Sequence, residues 1–243
     1  MDDLYARWND VCLTATGQWK RHPDVVFMLE HVKKEFAETY LDICVAGGIP
    51  LDVIQVYARR VDAVGGAQIE VFRREKILVA SSTCLRYLCH AMEIVNFLQE
   101  DEIVEIGGGY GGLLVAIAAV REFFHIETPL RYTILDLPGP NCLQKKYVSC
   151  FPLGDIDVHI RDGREEYEFE RVCLVSNYCL AEMGQTNREK YIETVVPKAA
   201  RGYFQWNSRA SLDFLSSYTT EIVEEHPKTG PHNKTVKFTR ALN

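Results

Sequence analysis

The chain has 243 residues, 47% hydrophobic and 25% charged, enough to bury a full core as one domain with an appendage. A formal net charge of −7 works against tight nucleic-acid binding, which needs a basic face. No apolar run reaches the roughly 18 residues of a membrane helix, and Met1-Asp2-Asp3-Leu4-Tyr5-Ala6-Arg7 lacks the basic and apolar regions of a signal peptide, so the expectation is a cytoplasmic chain with neither a membrane nor a nucleic-acid partner.

Apolar residues recur every three or four positions near 3–16, 24–44 and 51–63, predicting three helices, with Pro50 placed to open the last. Gly47-Gly48 and Gly65-Gly66 punctuate this part. A fourth helix is predicted over 81–98, where Ser82 or Thr83 can cap and Leu85, Leu88, Cys89, Met92 and Val95 share a face. From residue 102 strands and helices alternate. Strands are expected at 102–106, 131–136, 156–160, 171–177 and 201–206, with helices near 111–124, 139–150, 187–199 and 208–216. Two last strands, near 218–225 and 233–240, follow each other across Pro227-Lys228-Thr229-Gly230-Pro231. The basic runs Arg59-Arg60 and Arg73-Arg74-Glu75-Lys76 read as solvated faces. The eight cysteines include no Cys-x-x-Cys and read as reduced, mostly buried small hydrophobes, with no zinc site and no spacing that demands another metal.

The most informative stretch is Ile103-Val104-Glu105-Ile106-Gly107-Gly108-Gly109-Tyr110-Gly111-Gly112-Leu113, a buried-strand pattern running into a glycine turn and then a helix. Such a unit cradles a ligand, because glycine lets the main chain approach it and the helix start offers unpaired N–H groups. Two templates fit. Gly107, Gly109 and Gly112 match the dinucleotide pattern G-x-G-x-x-G. Gly107, Gly109 and Gly111 match the G-x-G-x-G pattern that class I S-adenosylmethionine (SAM) methyltransferases carry after a strand ending in an acid, here Glu105. Spacing alone does not choose between them.

The run Tyr132-Thr133-Ile134-Leu135-Asp136-Leu137-Pro138 is a second strand that stops at an acid. In a doubly wound sheet that acid lies beside the first glycine loop and can accept both ribose hydroxyls of NAD or SAM; a plain helix cap is the alternative for Asp136. Its separation from Gly107 exceeds the ~20 residues of the dinucleotide fingerprint, and the glycine loop starts only after a long N-terminal stretch. Both points favour SAM.

Ser82-Thr83-Cys84-Leu85-Arg86-Tyr87, Glu105 through Leu113, Leu135-Asp136-Leu137-Pro138, Leu143-Gln144-Lys145-Lys146-Tyr147 and Ser176-Asn177-Tyr178-Cys179-Leu180-Ala181-Glu182-Met183 together resemble the sugar O-methyltransferase family. The last segment stands where that family usually carries a sequence closer to Asn-Ser-Phe-x-Glu-Met, so Tyr178 and Cys179 are departures. The resemblance runs from about residue 80 to the end. It implies an α/β, Rossmann-like class I methyltransferase fold with a mostly parallel seven-stranded sheet, the terminal hairpin forming its antiparallel edge. The expected division is a helical segment over 1–80, covering the acceptor, and a SAM-binding domain over 81–243.

The expected reaction is methyl transfer from SAM to a hydroxyl of a small-molecule sugar or glycan precursor, with a homo-oligomer compatible with it. For the cofactor we expect Gly107, Gly109 and Gly111 to approach the methionine and ribose portions, with Tyr110 and Leu137 in the same loops. Glu105 would orient the loop or reach the ammonium through water, Asp136 would take the ribose diol, and Asp162 would meet the adenine amino group. Arg86 would pair with the methionine carboxylate, and Asn177 would hold the acceptor or its loop. Glu182 is the expected base, with His226 and then His232 as alternatives, since both histidines flank the C-terminal turn and titrate in a useful range. An NAD(P)-dependent oxidoreductase and a non-catalytic SAM-binding regulator are the competing readings.

Overall fold

The computed structural model describes residues 2–240, so Met1, the first residue of the stretch read for a signal peptide, and residues 241–243 lie outside it. Two units make up the fold. One gathers Met1–Phe97, Gly109–Glu127 and Pro138–Gly154; the other holds Leu98–Gly108, Thr128–Leu137 and Asp155–Asn243.

The first unit begins with helices α1 (Asp2–Thr14), α2 (Pro23–Met28), α3 (Lys34–Ala46) and α4 (Leu51–Ala63), followed by strands β1 (Glu70–Arg73) and β2 (Ile77–Ala80), and helix α5 (Ser82–Phe97). Later in the chain it receives α6 (Gly112–Phe123) and α7 (Pro138–Val148). Helix α5 packs against α3 and α6, and α1 against α7. Burial of α5 extends around most of its surface, from Ser82 to Met92, which is why its sequence shows so little polar face.

Three local outcomes differ from the periodic reading. The expected helix over 24–44 breaks at Leu29–Lys33, because the Leu29 carbonyl turns to accept from Arg86 Nη2 (3.1 Å) and Thr83 Oγ1 (3.2 Å). Ser81 closes the first turn of α5: its Oγ accepts from the Cys84 N–H at 3.1 Å, the part given above to Ser82 or Thr83. Ser81 is itself held by Asp62, whose carboxylate accepts from the Ser81 N–H and hydroxyl at 2.6 Å each. The antiparallel pair β1–β2 is new, with the charged run at residues 73–76 at its turn, and Gln55 bonds both the N–H and the carbonyl of Val79.

The second unit is the sheet. Strands β3 (Glu102–Ile106), β4 (Leu130–Asp136), β5 (Ile156–Asp162), β6 (Val172–Asn177), β7 (Ala199–Trp206), β8 (Tyr218–Glu224) and β9 (Lys234–Arg240) lie in the order β5-β4-β3-β6-β7-β9-β8. The first five in chain order are parallel, and β9 runs antiparallel between β7 and β8. Short helices α8 (Cys179–Glu182) and α9 (Gln185–Thr194) follow β6. Leu180, Tyr191, Val195 and Val196 pack with Ile106, Leu174 and Phe204 of the strands in one apolar cluster. Pro197, without an N–H to donate, leaves a 3-10 turn where the sequence pattern extends a helix to 199. Residues 208–216 form a 3-10 turn at Asp213–Leu215 in place of the expected helix: the Ser208 and Ser211 hydroxyls take the N–H groups of Ala210 and Asp213. Outermost strand β8 is exposed from Thr219 through Glu224.

Candidate functional site

In an open parallel sheet, ligands bind beyond the strand carboxyl ends where the strand order reverses. Here β3 has β4 on one side and β6 on the other, so the reversal falls at β3, and the chain leaves β3 directly into Gly107. Gly107, Gly109 and Gly111 all take positive φ (76°, 57° and 90°), whereas Gly108 and Gly112 do not. The alternation of left-handed residues follows the G-x-G-x-G spacing. Gly112 is needed for a different reason: a Cβ there would come 2.5 Å from Tyr87 Cε2.

Within the sheet unit, Gly107 has no room for a side chain. A Cβ on it would lie 2.1 Å from Cys179 Sγ, so the thiol of the β6–α8 turn fills the space a side chain would need. Burial, then Asp136, Glu182 and Glu105 nearby, push the Cys179 thiol far above its ordinary range, which keeps it protonated and unreactive. Ser176 joins the two strand ends: its hydroxyl donates to the Ile106 carbonyl (3.2 Å) and accepts from the Leu180 N–H (3.0 Å). Glu105, 2% exposed, accepts from Tyr132 Oη at 2.9 Å. Burial, against that hydrogen bond and with the Asp136 charge adding to it, pushes the Glu105 carboxyl up to about 8.

Asp136 ends β4 half-buried; its Oδ1 accepts from the Leu137 N–H (2.8 Å) and its carbonyl from the Gly163 N–H (2.8 Å). Asp162, its register partner on β5, is gripped by Arg164 at 2.8 and 2.5 Å, which lowers its pKa. Asn177 is the last residue of β6, and Tyr178 follows with a positive φ of 69°. The Tyr178 hydroxyl donates to Glu225, which is 3% exposed and also accepts from the Thr229 N–H (2.8 Å) and Asn233 Nδ2 (3.0 Å). Tyr178, a departure from the family pattern, thus anchors the β8–β9 loop to the end of β6. Glu182 N–H bonds the Tyr178 carbonyl, and His226 adjoins Glu225, so both expected bases are tethered to this contact. Glu182 is exposed and accepts from Asn207 Nδ2 at 2.5 Å; His232 is exposed beside Arg209.

Within the helical unit lie Arg86 and the second half of the glycine loop. Arg86 is buried, with Nη2 on the Leu29 carbonyl. Tyr110 is 2% exposed, its hydroxyl donating to Glu30 Oε1 at 2.8 Å and its ring meeting Trp19, Tyr147 and Tyr87 edge to face at 5.0, 4.9 and 5.7 Å. Lys20 Nζ sits 4.9 Å from the Tyr110 and Tyr147 ring centres and donates to the Val61 carbonyl at 2.8 Å. Sequence reasoning missed Lys20, Glu30, Cys179 and Glu225; the one signal for any of them was the unusual Tyr178-Cys179 pair.

Among the described residues no three His, Cys, Asp or Glu side chains cluster as a metal site, and no helix is long and apolar enough to cross a membrane. Cys12, Cys44, Cys84, Cys89 and Cys173 are buried reduced cysteines.

No protein-family model matches the chain, and no curated protein does. Among solved structures it is similar to a SAM-dependent methyltransferase from Aquifex aeolicus, at 12% identity over 62% of this chain and 89% of that one, with a TM-score of 0.44. It is also similar to M. capricolum TrmK in complex with S-adenosylhomocysteine (14%, 62% and 67%, 0.41) and to the glycopeptide N-methyltransferase MtfA with the same ligand (15%, 64% and 59%, 0.39). The strand order, with one antiparallel strand inserted next to the edge of an otherwise parallel sheet, makes the fold α/β and Rossmann-like.

Proposed function

We propose that the protein is a SAM-dependent O-methyltransferase acting on a hydroxyl of a sugar or glycan precursor. The observation that carries the reading is the left-handed run Gly107, Gly109, Gly111, leaving β3 at the reversal of strand order behind the buried acid Glu105. The residues fit the cofactor. A carboxylate offers about four lone-pair positions, so Asp136 can receive a ribose diol while keeping its bond to Leu137. Protonated Glu105, paired with Tyr132, orients the loop. Asp162, Asn177, Leu137, Tyr110 and Arg86 complete the proposed set.

The bound cofactor supplies a methyl group already activated on a sulfonium. What remains for the protein is to hold the acceptor oxygen in line, which can supply ~7–11 kcal/mol of a barrier. A base that takes the hydroxyl proton adds ~10²–10⁴-fold. Glu182 is the proposed base, with His226 the alternative on the adjoining loop. Residues 1–80 are proposed to carry acceptor choice, and the protein to work in the cytoplasm on a small-molecule or glycan substrate.

Titration calorimetry with SAM and S-adenosylhomocysteine, against NADH and NADPH, tests the cofactor. Micromolar binding of both adenosyl ligands, strongly weakened in Asp136→Ala, is expected; binding of a nicotinamide nucleotide alone would reject the reading. Methyl transfer to a panel of sugars then tests the acceptor. A Glu182→Gln protein that binds SAM and turns over normally would remove Glu182 as base.

A further inference from the structure

Tyr110 is the one non-glycine residue between Gly107 and Gly112, and the glycines on either side of it restrict the backbone least of all residues. The left-handed turns at Gly109 and Gly111 therefore need an outside constraint, and residues of the N-terminal segment provide it. The Tyr110 hydroxyl is bonded to Glu30, and its ring is packed by Trp19 and faced by the Lys20 ammonium. Leu29, next to Glu30, closes on Gly109 so tightly that a Cβ there would meet its Cδ1 at 3.0 Å. Gln144 Nε2 donates to the Gly109 carbonyl at 3.0 Å and completes the grip.

Lys20 is buried and Glu30 half-buried, which lowers the pKa of the first and raises that of the second, while each charge favours the other. Burying charge is unfavourable compared with apolar packing, yet the Lys20 ammonium and the Glu30 carboxylate are both set against Tyr110. The conformation they touch is that of the glycine loop.

We propose that Glu30 and Lys20 are positioning residues for the glycine loop: acting through Tyr110, they hold Gly109–Gly111 in its left-handed turns and so set the affinity for the adenosyl cofactor. The cofactor part of this inference rests on the function proposed above. It makes residues 19–30 part of the cofactor machinery as well as of the acceptor segment.

The test combines S-adenosylhomocysteine titration with hydrogen exchange of the residue 107–112 amides in the ligand-free protein. The proteins compared are wild type, Tyr110→Phe, Glu30→Gln, their double variant, Lys20→Met, and the control Gln55→Ala, which loosens the β1–β2 pair. Each clamp variant is expected to bind about tenfold or more weakly, with the double variant no worse than the weaker single one, and to exchange the loop amides faster. Gln55→Ala should unfold more easily yet bind as wild type does. If Tyr110→Phe and Glu30→Gln lose stability but keep wild-type affinity and loop exchange, the inference is overturned. If wild type binds no adenosyl ligand, the proposed function fails, and loop exchange decides alone: faster exchange retains the clamp, unchanged exchange removes it.

Discussion

Glu105 gives a measurable dependence of stability on pH. Its carboxyl is pushed from 4.5 up to about 8, by burial first, with Asp136 adding and the Tyr132 hydrogen bond opposing. The native state therefore holds a proton that the unfolded chain releases, and stability falls as pH rises between 4.5 and about 8. The stabilisation is complete below 4.5 and gone above about 8. At ~1.36 kcal/mol for each pH unit of difference, the whole effect is on the order of 5 kcal/mol, with a slope of about −1.4 kcal/mol per pH unit inside the window. Glu105→Gln keeps a polar group for Tyr132 and removes the ionisation. Urea unfolding at pH 5.5, 6.5, 7.5 and 8.5 isolates the group, because other titrations cancel in the difference between the two proteins. The variant should gain on wild type steadily up to pH 8 and then level off. A difference that stays flat over the series would mean that Glu105 titrates as an ordinary carboxylate, and the account of a neutral acid under the loop would be wrong.

Three further outcomes are expected. Gly107→Ala meets Cys179 Sγ and forces a left-handed alanine; at about 1–2 kcal/mol for the backbone and about 1–3 for overpacking, chemical denaturation should show a loss of roughly 2–5 kcal/mol. Glu225→Gln weakens the charge-assisted bonds to Tyr178, Thr229 and Asn233, and should cost about 1–3 kcal/mol and raise hydrogen exchange over 226–233. Ser81→Ala removes the acceptor for the Cys84 N–H and leaves Asp62 short of a donor, and thermal unfolding should register about 1 kcal/mol or more.

The sheet was legible because its strands are short apolar runs cut by glycine or an acid, as in Ile103–Gly107 and Thr133–Asp136. Those boundaries are local, and local patterns are what a sequence displays. The break at Leu29 was not legible, since its cause, Arg86, lies 57 residues away. The Ser208–Ser211 stretch has helical spacing, but its hydroxyls compete for the backbone, a contest that periodicity does not register. The same division holds for the candidate site. Glycines and strand-end acids could be named from spacing, whereas Lys20, Glu30, Cys179 and Glu225 enter through contacts with Tyr110, Gly107 and Tyr178 that only folding creates.

Strand β8 is last in the sheet, and among the described residues its interstrand pairing is with β9 alone, so its other edge offers backbone donors and acceptors to any passing extended chain. Ile222 and Val223, 47% and 46% exposed, would make such pairing favourable. Glu221 and Glu224 stand guard: each faces a lysine across the pair, Lys237 and Lys234, and Glu224 is held charged to lower pH by Lys228. Protonation of Glu224 would remove its charge while leaving the hydrophobic pair in place. Protection of that open edge is therefore carried by charges on the strand itself.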